Sequence, residues 1–229
     1  MRIFHVITLS SVGGAQSVVV NLANAQVMEG NEVWVVSSAG GEAWKALRPE
    51  VKVIGIRQLR RSIGWRDGIV LLKLFYLRWK YRPDVVHLHS SKTGALGRLA
   101  FSSRKTVYTV HGFDSIRIAN RFFLPIEKAL KRRCSRIVGV SRYDEKNLVA
   151  EGIRKKVTYV YNGIDDKSVV DIEKVNGGIR EEMQRIRQKY KKVVMSIARD
   201  DRQKKIDLFI ETARLLPDYA FVWIGNSDN

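Results

Sequence analysis

Short apolar, β-branched runs alternate with longer amphipathic stretches along residues 1–165. IFHVIT (3–8), EVWVVSS (32–38), VKVIGI (51–56), DVVHLH (84–89), TVYTVH (106–111), RIVGVS (136–141) and VTYVYN (157–162) read as strands. They are apolar at nearly every position, as expected of strands covered on both faces. Residues 15–29, 66–81, 94–102, 120–133 and 142–151 carry the spacing of helices. This alternation predicts a parallel, doubly wound α/β sheet.

After Asn162-Gly163-Ile164-Asp165 the pattern changes. Residues 166–192 are polar, with a Gly177-Gly178 pair and the helix-like IREEMQRIRQKYKK. A new βαβ unit follows: a strand over 193–198, a helix over about 204–216 and a strand over 220–225. One βαβ unit cannot cover its own apolar faces, and a domain of this class needs roughly 100 residues or more. The expected organisation is a first domain over 1–165, a linker over 166–192 and an incomplete second domain over 193–229.

Composition narrows the class. The 45% hydrophobic content supports a packed core. The one cysteine, Cys134, cannot form an internal disulfide, so a reducing cytoplasm is the expected setting. The start, MRIFHVIT, lacks the features of a signal peptide, and no apolar run approaches the roughly 20 residues needed to span a bilayer. Net charge is +18, and residues 57–82 and 115–136 supply thirteen of those charges. Such a balance calls for anionic partners. No helix-turn-helix, zinc or RNA-recognition signature accompanies it, so nucleic acid is not expected.

Several stretches could carry chemistry. Gly13 and Gly14, in LSSVGGAQ, follow the first strand and allow a ligand close to the backbone at a helix start; a plain tight turn is the other reading. The turn is not GxGxxG, and dinucleotide binding is not expected. His87 and His89 share a strand face, but without a third ligand they suit a metal badly. His87 reads as structural. His89 and His111 each end a strand, where ligands of open α/β sheets sit. Ser90, Ser91, Lys92 and Thr93 offer hydroxyls and a cation to a ligand; the serines, and Ser141 with Asp144, also read as helix caps. In 65–83 and 117–133 aromatic and basic residues mix. Arg60, Arg61, Trp65, Arg66, Arg121, Phe122 and Phe123 are candidates for an anionic membrane surface, against the alternative of helices packed on the sheet with a solvated basic edge.

Taken in order, SVGGAQ, DVVHLHSSKTGALGRLA, VYTVHGF, IVGVSRYDEKNL and VYNGID resemble the N-terminal domain of glycosyltransferase family 4. The family resemblance implies a GT-B fold of two Rossmann-like domains and retaining transfer from a nucleotide-diphosphate sugar. HSSKTGALGRLA and TVHGF are similar to the branch that builds surface or capsular polysaccharide on a lipid carrier. By this resemblance Gly13 and Gly14 lie near the donor diphosphate, and His111 faces the reacting sugar. His89, Ser90, Ser91, Lys92, Gly112 and Asn162 would line the acceptor side, with Asp165 in the motif leading to the linker. SIARDDRQKKIDLFIETARLL resembles the second domain's Gly-Arg…Lys-Gly element, so Arg199 and Lys204 would neutralise donor phosphates without a metal or other cofactor. Ala198 and Lys205 replace that element's glycines. The family's paired glutamates would lie beyond Gly225, so this chain alone is expected to transfer little. The implied setting is peripheral, on the cytoplasmic face of the plasma membrane. The rival reading is a binding protein that has lost its donor domain.

Overall fold

Seven strands form one parallel sheet in a computed structural model that describes residues 1–164, 177–198 and 204–225. They are β1 (Arg2–Val6), β2 (Glu32–Ser37), β3 (Lys52–Gly55), β4 (Val85–His89), β5 (Thr106–Val110), β6 (Arg136–Gly139) and β7 (Val157–Tyr159). Their order is β3-β2-β1-β4-β5-β6-β7, so the chain winds outward from β1 in one direction and then from β4 in the other. This is a doubly wound sheet whose switch point lies between β1 and β4.

Helix α1 (Gly14–Met28) covers one face beside β1 and β2, where Val19 and Ala23 pack on Ile3, Ile7, Val33 and Val35. Helices α2 (Arg66–Tyr81), α3 (Ser91–Ala100), α4 (Leu124–Leu130) and α5 (Arg142–Ala150) cover the other. There α2 buries Val70, Leu74 and Leu77, a stripe at helical spacing. Each such buried side chain contributes about 1.5–3 kcal/mol. Helix α3 lies very close to the sheet, since a Cβ on Gly97 would come within 2.3 Å of Leu88.

The expected helix over 120–133 is a correction. Ser115–Ala119 and Arg121–Phe123 are separate short turns, and α4 begins only at Leu124. Pro125 sits in the first turn of α4, where its missing N–H costs nothing; further inside a longer helix it would break the ladder. The buried pair Arg98–Glu127 (2.7 Å) then ties α4 to α3, with the guanidinium 4.4 Å from the Tyr108 ring centre.

The chain divides into Met1–Asp165 and Asp166–Asn229. In the second unit β8 (Lys192–Ile197) and β9 (Tyr219–Ile224) pair in parallel, accompanied by α6 (Gly177–Lys189) and α7 (Ile206–Leu215). The helix α6 falls within the stretch expected as linker. No residue of α6 or α7 is fully buried, and Ile197 is 78% exposed.

Candidate functional site

Three turns meet the carboxyl edge of the sheet around the switch point. The first carries Gly13 and Gly14 into α1. Gly13 is extended (φ −179°), so its backbone would accept any residue. What the glycines preserve is room: a Cβ on Gly14 would meet nothing within 4 Å, and one on Gly13 only the Gln16 side-chain end. The first-turn amides of α1 lie at this opening and favour an anion.

The second turn follows β4. Ser90 has φ 65°, a conformation costing a residue with a Cβ about 1–3 kcal/mol. Its hydroxyl accepts from the Thr8 amide (3.2 Å) and bonds the hydroxyls of Thr8 (2.7 Å) and Thr93 (2.9 Å). The strained turn is therefore pinned to the end of β1. The third turn is His111-Gly112-Phe113. Gly112 has φ +83°, and the Phe113 amide donates to Asp144 Oδ1 at 2.8 Å. Asp144 also accepts from Ser141 Oγ (2.7 Å), while its own amide donates back to that oxygen (3.1 Å), the serine N-cap legible in SRYD.

Beneath these turns the four histidines of the chain form one cluster. Residues paired across parallel strands share a face, and His5 pairs with His87 while His89 pairs with Thr109. Gln26 Oε1 lies 2.7 Å from His5 Nε2, His5 Nδ1 lies 3.1 Å from His89 Nε2, and His89 Nδ1 lies 3.0 Å from His111 Nε2. His87 Nε2 meets Thr109 Oγ1 at 2.7 Å. Burial pushes His5 down to about 4, against the Gln26 hydrogen bond that raises it. Burial and then the neighbouring His5 and His111 take His87 to about 3. Burial, then His87, His5 and His111, hold His89 well below its ordinary value. Burial lowers His111 to about 4, with Asp144 opposing. All four are neutral at pH 7.

This cluster revises the sequence reading. His5 supplies the third histidine that a metal site would need, and the ligand atoms of His5, His87 and His89 lie within 4.8 Å of one another. The facing nitrogens of His5 and His89 are already engaged with each other. His89, expected to line a cleft, is fully buried between His5 and His111, because strand alternation points it to the α1 face with His5. His111 is only partly buried, and among the described residues its Nδ1 has no protein partner.

Lys92 also differs from expectation. Its ammonium donates to the Arg60 carbonyl (2.9 Å) and the Ser62 carbonyl (2.5 Å), and is ion-paired with Asp67 Oδ1 at 2.6 Å. It fastens the basic loop before α2 rather than presenting a free cation. Ser90 starts α3 without capping it, its hydroxyl being engaged with Thr8 and Thr93; Ser91 is the first residue of α3. Asn162 is exposed just beyond β7, two strands from β5.

On α2 and at its N-cap, Trp65 (76%), Trp79 (70%), Leu72, Phe75 and Tyr76 are exposed, with Arg66 stacked over Trp65. Arg60 and Arg61 are exposed in the loop before α2, and Arg121 is exposed while pairing with Glu151 at 3.6 Å. Phe122 is 84% exposed, whereas Phe123 turns inward against the core, a correction to its expected outward position. Edge-on stacking at 5.5 Å joins the two rings. Lys204 lines a shallow hollow of the second unit with Ser196, Leu208, Phe209, Thr212 and Trp223. Arg199 and Asp165 lie outside the described residues. Among the described residues no helix is long and apolar enough to cross a membrane.

Sequence reasoning missed His5, Gln26, Thr8 and Thr109. The only available signal was that His5, like His87, sits inside an otherwise apolar strand run.

The sequence profile of Glycosyltransferase Family 4 matches residues 12–168. A 41.2 kDa protein in the cps region of Klebsiella pneumoniae is 28% identical over 181 residues, covering 73% of this chain and 49% of that protein. The Escherichia coli UDP-Gal:alpha-D-GlcNAc-diphosphoundecaprenol alpha-1,3-galactosyltransferase is 26% identical over 248 aligned positions, covering 100% of this chain and 62% of the enzyme. The chain thus spans less than two thirds of the length of either relative. Among solved structures, Anabaena HepE in complex with UDP and glucose superposes with a TM-score of 0.73 at 17% identity, covering 98% of this chain and 61% of that one.

Proposed function

The chain belongs to glycosyltransferase family 4 and has its GT-B type of fold, and on that premise we propose that it serves a retaining sugar transferase in surface polysaccharide synthesis. The donor is a nucleotide-diphosphate sugar and the acceptor a lipid-linked saccharide, the chemistry carried in the name of the E. coli relative. One observation carries the reading: the open Gly13–Gly14 turn and the His111 strand end lie at the same sheet edge, around the switch point.

In the reaction an acceptor hydroxyl oxygen bonds the donor's anomeric carbon on the face from which the nucleoside diphosphate departs with the bonding electrons. The hydroxyl proton passes to an oxygen of the departing diphosphate. His111, neutral and partly exposed, holds a sugar hydroxyl in place. The α1 amides at the glycine turn offset the charge gathering on the departing diphosphate, and no metal or other cofactor is invoked.

The exposed aromatic residues of α2 and Phe122, set among arginines, hold the first unit against an anionic lipid surface on the cytoplasmic side. The loop before α2 and the turn after β5 both leave the carboxyl edge of the sheet, so Trp65 and Phe122 lie toward the edge that carries the site, while α2 runs from there to the opposite edge, where the Tyr81 carbonyl accepts from Arg2.

A photoreactive GlcNAc-diphospholipid tests the reading. Adducts are expected at residues 10–16, 90–91 and 111–115; adducts elsewhere, or none competed by unlabelled lipid, would overturn it. Ala198 and Lys205, standing where the family element has glycines, favour the second reading of a degenerate binding protein. Micromolar affinity for a UDP-sugar supports the transferase; acceptor binding with no donor affinity supports the degenerate reading.

A further inference from the structure

We propose that Gln26, acting through His5 and His89, fixes the tautomer of His111 so that its Nδ1, which has no protein partner among the described residues, is an unprotonated hydrogen-bond acceptor, selecting a hydroxyl donor as its ligand group. This deepens the proposed role of His111 in holding a sugar hydroxyl and rests on that reading for its consequence.

A neutral imidazole carries one N–H and one lone pair, so each ring in a bonded row must donate on one side and accept on the other. Gln26 turns its amide oxygen, which can only accept, toward His5 Nε2 at 2.7 Å. His5 Nε2 therefore carries the proton, and His5 Nδ1 is left as an acceptor. His89 Nε2, 3.1 Å away, must then donate, leaving His89 Nδ1 to accept. His111 Nε2, at 3.0 Å from it, is in turn the donor, and the lone pair falls on Nδ1. One partly buried amide on α1 thus sets the polarity of three rings carried on β1, on β4 and just past the end of β5.

The row is enclosed where it matters. His5 and His89 are fully buried, so water does not scramble their donor and acceptor roles. Reversing one ring would set two N–H groups or two lone pairs face to face, and an unmatched buried pair costs about 1–3 kcal/mol. The row also ends on an amide rather than a base. A proton taken up by His111 has no outlet at Gln26, so the row orients a ligand instead of carrying protons away. An outward lone pair accepts from an O–H group and repels a phosphate or carboxylate oxygen. His5, His89 and Gln26 are positioning residues in this arrangement.

Nitrogen-15 spectra of the histidine rings in the full chain, recorded without substrate, read the tautomers directly. The expected result is Nε2–H on His5, His89 and His111 in the unsubstituted protein. Gln26→Glu keeps an acceptor and should keep that pattern, whereas Gln26→Leu removes it and should give His111 a mixture of both tautomers. A His111 that carries Nδ1–H in the unsubstituted protein would overturn the proposal, and so would an unchanged pattern in a folded Gln26→Leu variant. If Gln26→Leu fails to fold, the spectrum of the unsubstituted protein decides alone. Because no substrate is present, failure here is separate from failure of acceptor binding. Adding methyl galactoside should then shift His111 and inorganic phosphate should not; the opposite response would contradict the selection for a hydroxyl.

Discussion

The ammonium of Lys92 sits 2.6 Å from Asp67 Oδ1, with both side chains largely buried, and also holds the carbonyls of Arg60 and Ser62. A residue expected to greet a ligand instead fastens the arginine-rich loop to the start of α3. Lys92→Met should leave Asp67 buried without its cation, at a cost of about 2–4 kcal/mol. Limited proteolysis should then cut at Arg60 or Arg61 far faster than in the unsubstituted protein. Unchanged cleavage would show that the loop is held by other means.

Histidine burial predicts a steep acid limb of stability. Above pH 6.5 the rings are neutral whether folded or unfolded, and their contribution is full. Below 6.5 the unfolded chain takes up protons that His5 and His111 refuse until about pH 4, and His87 until about pH 3. Stability therefore falls as pH drops from 6.5 toward 4, by up to about 1.4 kcal/mol per pH unit for each ring. Urea midpoints at pH 7, 6 and 5 check this; a flat profile would contradict the buried cluster.

Arg98 and Glu127 are both buried, and Arg98 also donates to the Gly94 carbonyl at 2.7 Å. Arg98→Met leaves a carboxylate unpaired beneath α4 and should cost about 3–5 kcal/mol. Adding Glu127→Leu should restore most of that loss. Additive losses in a double-mutant cycle would contradict direct pairing.

Lys205 has φ 51° where the family element it resembles carries glycine. A left-handed residue with a Cβ is strained by about 1–2 kcal/mol. Lys205→Gly should relieve this, with about 1 kcal/mol of net stabilisation after glycine's greater chain entropy is counted. Protection of the α7 amides in hydrogen exchange should rise accordingly.

Vesicle binding tests the exposed face of α2. Trp65→Ala with Trp79→Ala should weaken binding to anionic vesicles about tenfold or more, and raising salt from 0.05 to 0.5 M should weaken it further, since roughly 10 Å screening lengths shrink severalfold. Equal binding to neutral and anionic vesicles would remove the electrostatic part.

Strand positions were legible because each buried strand is apolar at nearly every residue, and the winding followed from their alternation with helices. The break at Pro125 was visible in principle, but the surrounding RFFL and KALKRR favour a helix locally. The site was legible only at its rim. Gly14 is marked by its place at a helix start and His111 by its place at a strand end, whereas His5, His89 and Gln26 depend on β1 and β4 lying side by side. No local pattern reveals which strands neighbour one another. Lys92 misled for a related reason: the partners that immobilise it are two carbonyls and Asp67, 25 to 32 positions earlier in the chain.

The most direct measurement is an equilibrium titration of the chain with GlcNAc-diphospholipid in neutral micelles, comparing it with His111→Ala and Gly14→Leu. Leucine at Gly14 points into open space and should leave folding intact while occupying the turn. Saturable binding that weakens at least tenfold in both variants, with both still folded cooperatively, is the predicted result. Equal Kd values for all three proteins would place the acceptor elsewhere and contradict the account.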